Sequence, residues 1–193
     1  MIINKNQLSS SAVQHYDCRK NRRPLRRLHY IVIHYTASGL MQPTINYLIT
    51  KEVNASAHLI IGRDGTIAQL VPFNIQAWHA GKSNYKGLNG LNGYSIGIEL
   101  INRGKLMCLS NTYYDAYAHI VPKEDVFTYT EKNKKPTYWQ RYTVPQLIAL
   151  QQVCELLLNE YQQINDIIGH SDITTRKLDP GPAFPMSNFK LLM

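Results

Sequence analysis

The stretch LHYIVIH, residues 28–34, sets aromatic and β-branched side chains in an unbroken row, the composition of a strand. Period-2 alternation puts Leu28, Tyr30, Val32 and His34 on one face and His29, Ile31 and Ile33 on the other. His29 and His34 therefore point apart and cannot serve one metal. His34 stands where the strand gives way to a loop, Tyr35 to Gly39. A second run, SIGIELIN (95–102), is apolar almost throughout, as a central strand covered on both faces would be. Ser95, Gly97, Glu99 and Ile101 share one of its faces.

Working outward, a short helix is expected over 42–52. AHLIIGRDGTIAQLV then reads as two strands around an Asp64-Gly65 turn. Residues 72–94 are rich in Gly and Asn and read as a long loop. Thr143-Val-Pro-Gln146 has the form of a capping box and opens a helix with Leu147, Leu150, Cys154, Leu157, Leu158 and Tyr161 at three-to-four spacing. DIIGH ends as a short strand at His170, and DPGPAFP beyond it is loop. Strands interleaved with a few helices indicate one mixed α/β domain: a single mixed central sheet flanked by helices. Residues 1–27 show no strand or helix period and read as a basic arm laid over a domain of 28–193. Residues 103–142, with six of the thirteen tyrosines and Trp139, read as an irregular aromatic insertion.

Composition narrows the function classes. The chain has 193 residues, enough for one sizeable core. No apolar run approaches the ~20 residues that span a bilayer. The N-terminus has no apolar core of a Sec signal, so work outside the cytoplasm would need another route. Three scattered cysteines (Cys18, Cys108, Cys154) indicate neither a disulfide framework nor a Cys-based zinc site. The net charge of +8 is concentrated in Arg19, Lys20, Arg22, Arg23, Arg26 and Arg27 and again in Lys132, Lys134 and Lys135. Such charge suits a polyanion of any kind, and without a nucleic-acid-binding motif no nucleic-acid partner is expected.

Among seven histidines, His34 and His170 differ in directly following an apolar strand. Asp179 lies nine residues beyond His170, in HSDITTRKLDPGP, and can return to the same point. Two neutral imidazoles and a carboxylate leave zinc a fourth position for water. Spacing alone does not single out this trio, because a compact HExxH signature is missing. Glu99 is an acid within a strand that otherwise reads as buried, which is costly without a partner. It reads either as half of an ion pair with Arg63 or Arg103, or as a general base of raised pKa. Lys177 reads first as a surface charge, and alternatively as a stabiliser of a developing oxyanion.

YIVIHYTAS, SAHLIIGRDGTIAQLVP, AWHAGKS, NGYSIGIELIN and GHSDITTRKLDPGPAF occur in this order. Together they resemble the type 2 N-acetylmuramoyl-L-alanine amidases, which share a fold with peptidoglycan-recognition proteins and phage lysozyme-type amidases. HYDCR, residues 15–19, resembles the muropeptide-recycling branch. The resemblance covers residues 28–101 and 143–185. It implies His34, His170 and Asp179 as zinc ligands, Glu99 as the acid/base and Lys177 as the oxyanion's partner. The implied reaction is hydrolysis of the amide between the muramoyl lactyl group and L-alanine of the stem peptide. Trp78 and His79 fall in the loop that lines the substrate cleft of this fold, Trp78 to stack on substrate or pack beneath the loop, His79 beside a ligand or facing substrate. Arg63 and Asn92 are candidates for muropeptide carboxylates or carbonyls. Ala57 occupies the place of the catalytic Tyr of lysozyme-type relatives, so no Tyr-assisted version applies. The other reading of the same fold is a non-catalytic peptidoglycan-binding module. The implied setting is the cytoplasm for a recycling enzyme, or the periplasm and cell wall after lysis or non-Sec delivery. A delivered toxin would add an immunity or inhibitor protein as partner.

Overall fold

The computed structural model describes residues 1–20 and 23–193, so Arg22 of the basic run lies outside the described residues. Its centre is a six-stranded sheet of β1 (Val13–His15), β2 (Tyr30–Tyr35), β3 (Leu59–Ile61), β4 (Ile67–Gln69), β5 (Ser95–Leu100) and β6 (Asp166–Gly169), in the order β6-β2-β5-β3-β4-β1. β6, β2, β5 and β3 run parallel; β3 and β4 form the antiparallel hairpin; β1 lies parallel to β4 at the edge. The hairpin turn is closed by Gly65 at φ +87° and by the Asp64 carboxylate, which accepts from Thr66 N–H at 3.0 Å. The mixed sheet agrees with the fold class expected from the sequence.

Helices cover both faces. α1 (Met41–Ile49) sets Ile45 and Leu48 against Ile60, Ala68 and Leu70. α2 (Val144–Glu160) sets Leu150, Val153, Cys154 and Leu157 against Ile31, Ile33, Ile96, Ile98 and Ile167 on the other face. Thr143 caps α2 by accepting from Gln146 N–H at 3.4 Å. The reciprocal half of the expected capping box is not made. Gln146 is buried, and its Nε2 donates to the Ile61 and Ile101 carbonyls, joining α2 to the sheet instead. Two short helices, α3 (His170–Ile173) and α4 (Met186–Lys190), follow β6. Among the described residues no helix is long and apolar enough to cross a membrane.

Two expectations are corrected. Residues 1–27 are not an arm without strands. Ile2–Asn4 pairs with Gln7–Ser9, and β1 extends the central sheet. Leu8 is only 1% exposed, and its N–H donates to the buried Gln69 side chain at 2.7 Å. Residues 103–142 are not irregular either. Lys105–Leu109, Thr112–Tyr114, Ile120–Val121, Val126–Tyr129 and Thr137–Gln140 form a five-stranded antiparallel sheet over a core of Leu106, Tyr113, Val121 and Val126. The ion pair Arg63–Asp125 fastens this sheet to the domain, and Arg103–Asp115 closes within the insertion itself.

Burial of Leu8 makes a direct prediction. Leu8→Ala should lower stability to urea by about 2–5 kcal/mol, the range for an emptied core position. A change within about 0.5 kcal/mol, ordinary for surface substitutions, would return the segment to the status of an arm.

Candidate metal centre and active site

Parallel register assembles the site. β5 against β2 sets Glu99 opposite His34, and β6 against β2 sets Gly169 opposite Ile33. His170, the next residue, therefore emerges beside His34 at the carboxyl edge of the sheet, where parallel α/β sheets place their ligands. The chain turns there because the Asp172 carboxylate accepts the Gly169 N–H at 2.8 Å and starts α3. Asp179 returns from the following loop. Its carbonyl accepts from Ser171 N–H at 2.9 Å, and the neighbouring Pro180 carbonyl accepts from the buried Tyr142 hydroxyl at 2.8 Å.

Three ligand atoms meet as a result. His34 Nδ1 lies 3.0 Å from His170 Nδ1 and 3.0 Å from Asp179 Oδ2, and His170 Nδ1 lies 2.9 Å from Asp179 Oδ2. All three residues are buried. Tetrahedral zinc with bonds of about 2.0–2.1 Å spaces its ligand atoms roughly 3.3 Å apart, so a few tenths of an ångström of spreading seats it. Burial would raise the Asp179 carboxyl, but hydrogen bonds with His170 and His34 hold it well below the usual carboxylate range.

A chain of hydrogen bonds sets the tautomer of His34. The Leu91 carbonyl can only accept, so the Ser95 hydroxyl donates to it at 2.6 Å. Ser95 Oγ then accepts from His79 Nε2 at 3.3 Å, which leaves His79 Nδ1 as the acceptor for His34 Nε2–H at 2.9 Å. The Nδ1 lone pair of His34 consequently faces the other two ligand atoms, the orientation a metal requires. His170 Nε2 lies 3.4 Å from the Ala80 carbonyl and is oriented the same way. The His79 ring lies over Gly97, where a Cβ would stand 2.2 Å from ring Cγ; any other residue there would push the ring away. Burial drives His79 well below the usual histidine range. His58, pushed down to about 4 by burial, donates to the Ile75 carbonyl and accepts from Gly97 N–H.

Glu99 stands beside this group on the floor of a cleft of about 510 Å³. Its Oε2 is sealed from solvent and has no hydrogen-bond partner among the described residues. Burial, reinforced by the Asp179 charge and opposed by Lys177, pushes its carboxyl up to about 8. Neither ion pair considered for Glu99 forms, since Arg63 and Arg103 are taken by Asp125 and Asp115. Lys177 lines the same cleft, as does Trp78.

Of the other three candidate contacts, Asn92 and Arg63 lie outside the cleft lining and His79 lies at it. Asn92 is not part of the cleft lining; its side-chain oxygen accepts from His79 and Ala80 N–H and holds their loop. Arg63 faces Asp125 and the Arg141 carbonyl, away from the cleft lining. His79 stands behind His34 and borders the cleft. Residues given no role from the sequence include Ser95, whose shared face with Gly97 and Glu99 was a usable signal, Arg176 and Leu178, which flank Lys177 within GHSDITTRKLDPGPAF, and Tyr47, which lines the cleft without any motif.

The N-acetylmuramoyl-L-alanine amidase family, Amidase_2, matches residues 24–182. The 1,6-anhydro-N-acetylmuramyl-L-alanine amidase AmpD of Salmonella typhimurium is 32% identical over 195 residues, covering 93% of this chain and 86% of the relative. A crystal structure of an AmpD derivative superposes with a TM-score of 0.66 at 26% identity, covering 100% of this chain and 99% of that one. AmiD from E. coli, in complex with the substrate anhydro-N-acetylmuramic acid-L-Ala-D-gamma-Glu-L-Lys, reaches 0.65 at 28% identity over 86% of this chain and 57% of that one. With its site formed by β2, β5 and β6, the chain belongs to the type 2 N-acetylmuramoyl-L-alanine amidase family, in its muropeptide-recycling branch.

Proposed function

We propose that this amidase is zinc-dependent, with His34, His170 and Asp179 as ligands, and that it cleaves the muramoyl–L-alanine amide of muropeptides. The observation that carries the reading is the Glu99 carboxyl, unpaired through Oε2 among the described residues and in register with His34 at the edge of the three-ligand group. The substrate follows from relatives named for 1,6-anhydro-N-acetylmuramyl-L-alanine and from the anhydromuropeptide in the AmiD complex.

Bound to the three ligands, zinc would polarise the scissile carbonyl and lower the pKa of a water towards about 7. Glu99, whose carboxyl is pushed up to about 8 in the metal-free site, is the proton carrier there. It accepts a proton from the attacking water and delivers it to the departing L-alanine nitrogen. The Lys177 ammonium, on the same cleft wall, faces the negative charge that develops on the carbonyl oxygen. His79 and Ser95 hold the His34 ring, so the ligand set is formed before substrate arrives.

Glu99→Gln should retain one zinc per chain by metal analysis and lose about 10²–10⁴-fold in turnover of anhydromuropeptide. His170→Ala should lose zinc and activity together. Metal-free Glu99→Gln protein would instead make the acid a ligand. Wild-type protein that binds muropeptide but releases no peptide would make the chain a binding module.

Glu99 also makes a pH prediction for chelated protein. Its folded pKa of about 8 exceeds the ordinary 4.5, so its contribution is fully present below about 4.5 and is lost as pH rises through 8. Glu99→Gln should therefore melt higher than wild type at pH 8, with the gap closing towards pH 5. A gap that does not change with pH would mean a solvated, unshifted carboxylate.

A further inference from the structure

The Val126–Tyr129 and Thr137–Gln140 strands of the insertion sheet wall a second cavity of about 410 Å³, within the size range of ligand sites. Its opposite wall is the segment of α3 and the following loop that carries His170 and Asp179: Ser171, Asp172, Leu178 and Pro180. Leu178, 53% exposed and adjacent to both Lys177 and Asp179, lines this cavity and the catalytic cleft alike, so the two lie on either side of one side chain. The insertion wall is held firmly. The Trp139 indole donates to Thr137 Oγ1 at 3.0 Å, and its ring packs on Gly181, where a Cβ would stand 2.6 Å away. Tyr129, 38% exposed, offers its ring to the cavity.

Charge divides the two sides of the 171–178 loop. The cleft contains Arg176 and Lys177 beside the carboxyls of Glu99 and Asp179, and the polar cavity beyond Arg176 adds Lys82, with Asp172 on the border it shares with the cavity beside Tyr129. The cavity beside Tyr129 contains Glu131 and Asp172 and no Lys or Arg among its described lining residues; Lys134 pairs with Glu131 from outside that lining. A stem peptide bearing carboxylates meets lysine and arginine side chains on the first side and none in the described lining of the second. A neutral pyranose suits the second side: an aromatic ring for its apolar face, with carboxylate and hydroxyl oxygens for its hydroxyl groups.

We infer that this cavity is a saccharide subsite, built by the insertion, which takes a second sugar ring joined to the muramoyl residue whose amide lies at the metal centre. The inference rests on the muropeptide amidase reading above. It sets the direction of the substrate: glycan across Leu178 towards Tyr129, peptide towards Arg176.

Two soluble probes test it: anhydro-N-acetylmuramoyl tripeptide, and the same molecule with N-acetylglucosamine on its muramoyl ring. Wild-type enzyme should show a KM about three- to tenfold lower for the disaccharide probe, the value of one aromatic contact. Tyr129→Ala should abolish that difference while leaving kcat, zinc content and the KM of the shorter probe unchanged; Tyr129→Phe should keep it. Equal KM values in wild type, or a difference that survives Tyr129→Ala, would overturn the subsite. So would a Tyr129→Ala effect that follows peptide length, because the cavity would then hold the stem peptide. Failure of wild type to cleave either probe would instead overturn the amidase reading itself.

Discussion

The parallel pairing of β6 with β2 and of β2 with β5 is the constraint on which this protein's chemistry depends. Parallel strands bring their carboxyl ends to one edge, so segments far apart in sequence deposit side chains in a row there. Ile31, Ile33, Ile96, Ile98 and Ile167 hold the register because they share the face covered by α2. A slip of one residue would expose that set and turn His34 or Glu99 to the wrong side of the sheet. Apolar burial on one face thus positions the polar site on the other.

The polar face is held at some cost. Glu99 Oε2 lacks a partner among the described residues, and His34, His58 and His79 are buried with their pKa values pushed down by loss of solvent. A folded chain selected for stability alone would fill these positions with apolar side chains. The hydrogen bonds that remain are directional. From the Leu91 carbonyl through Ser95 and His79 they run to a single ligand ring, and Gly97 leaves room for them by lacking a side chain. Rigidity here substitutes for the missing compact motif: His34 and the His170–Asp179 segment, more than a hundred positions apart, present three ligand atoms about 3 Å apart.

How much of this was legible depended on whether a signal was local. β2, β5, the Asp64-Gly65 hairpin and α2 each combine a long apolar pattern with a turn or cap, and all four appear where the sequence places them, with β2 beginning two residues later and β5 ending two residues earlier. The insertion sheet was missed because its strands are two to five residues long and their apolar side chains alternate over too few positions to show a period. A turn signal was present in Leu109-Ser110-Asn111-Thr112, whose central pair adopts φ +46° and +62°, as a two-residue hairpin requires. The N-terminal strands escaped for a related reason: Leu8 and Val13 are single buried residues among exposed neighbours. Their burial comes from Gln69 and β4, more than fifty residues away.

Residue types and their order determined the class of fold, the family and the short set of groups able to bind metal or move protons. Tertiary structure decided which of them meet. It brought Asp179 back to His34 and His170, left Arg63 and Arg103 to other carboxylates, and put Asn92 to holding a loop. It also placed the insertion's aromatic wall across Leu178 from the cleft. The physical reason is range. Propensity and periodicity act over a few residues, and sequence records them directly. Hydrogen-bond partners, desolvation and pKa depend on what lies within a few ångströms, which only the packed chain defines.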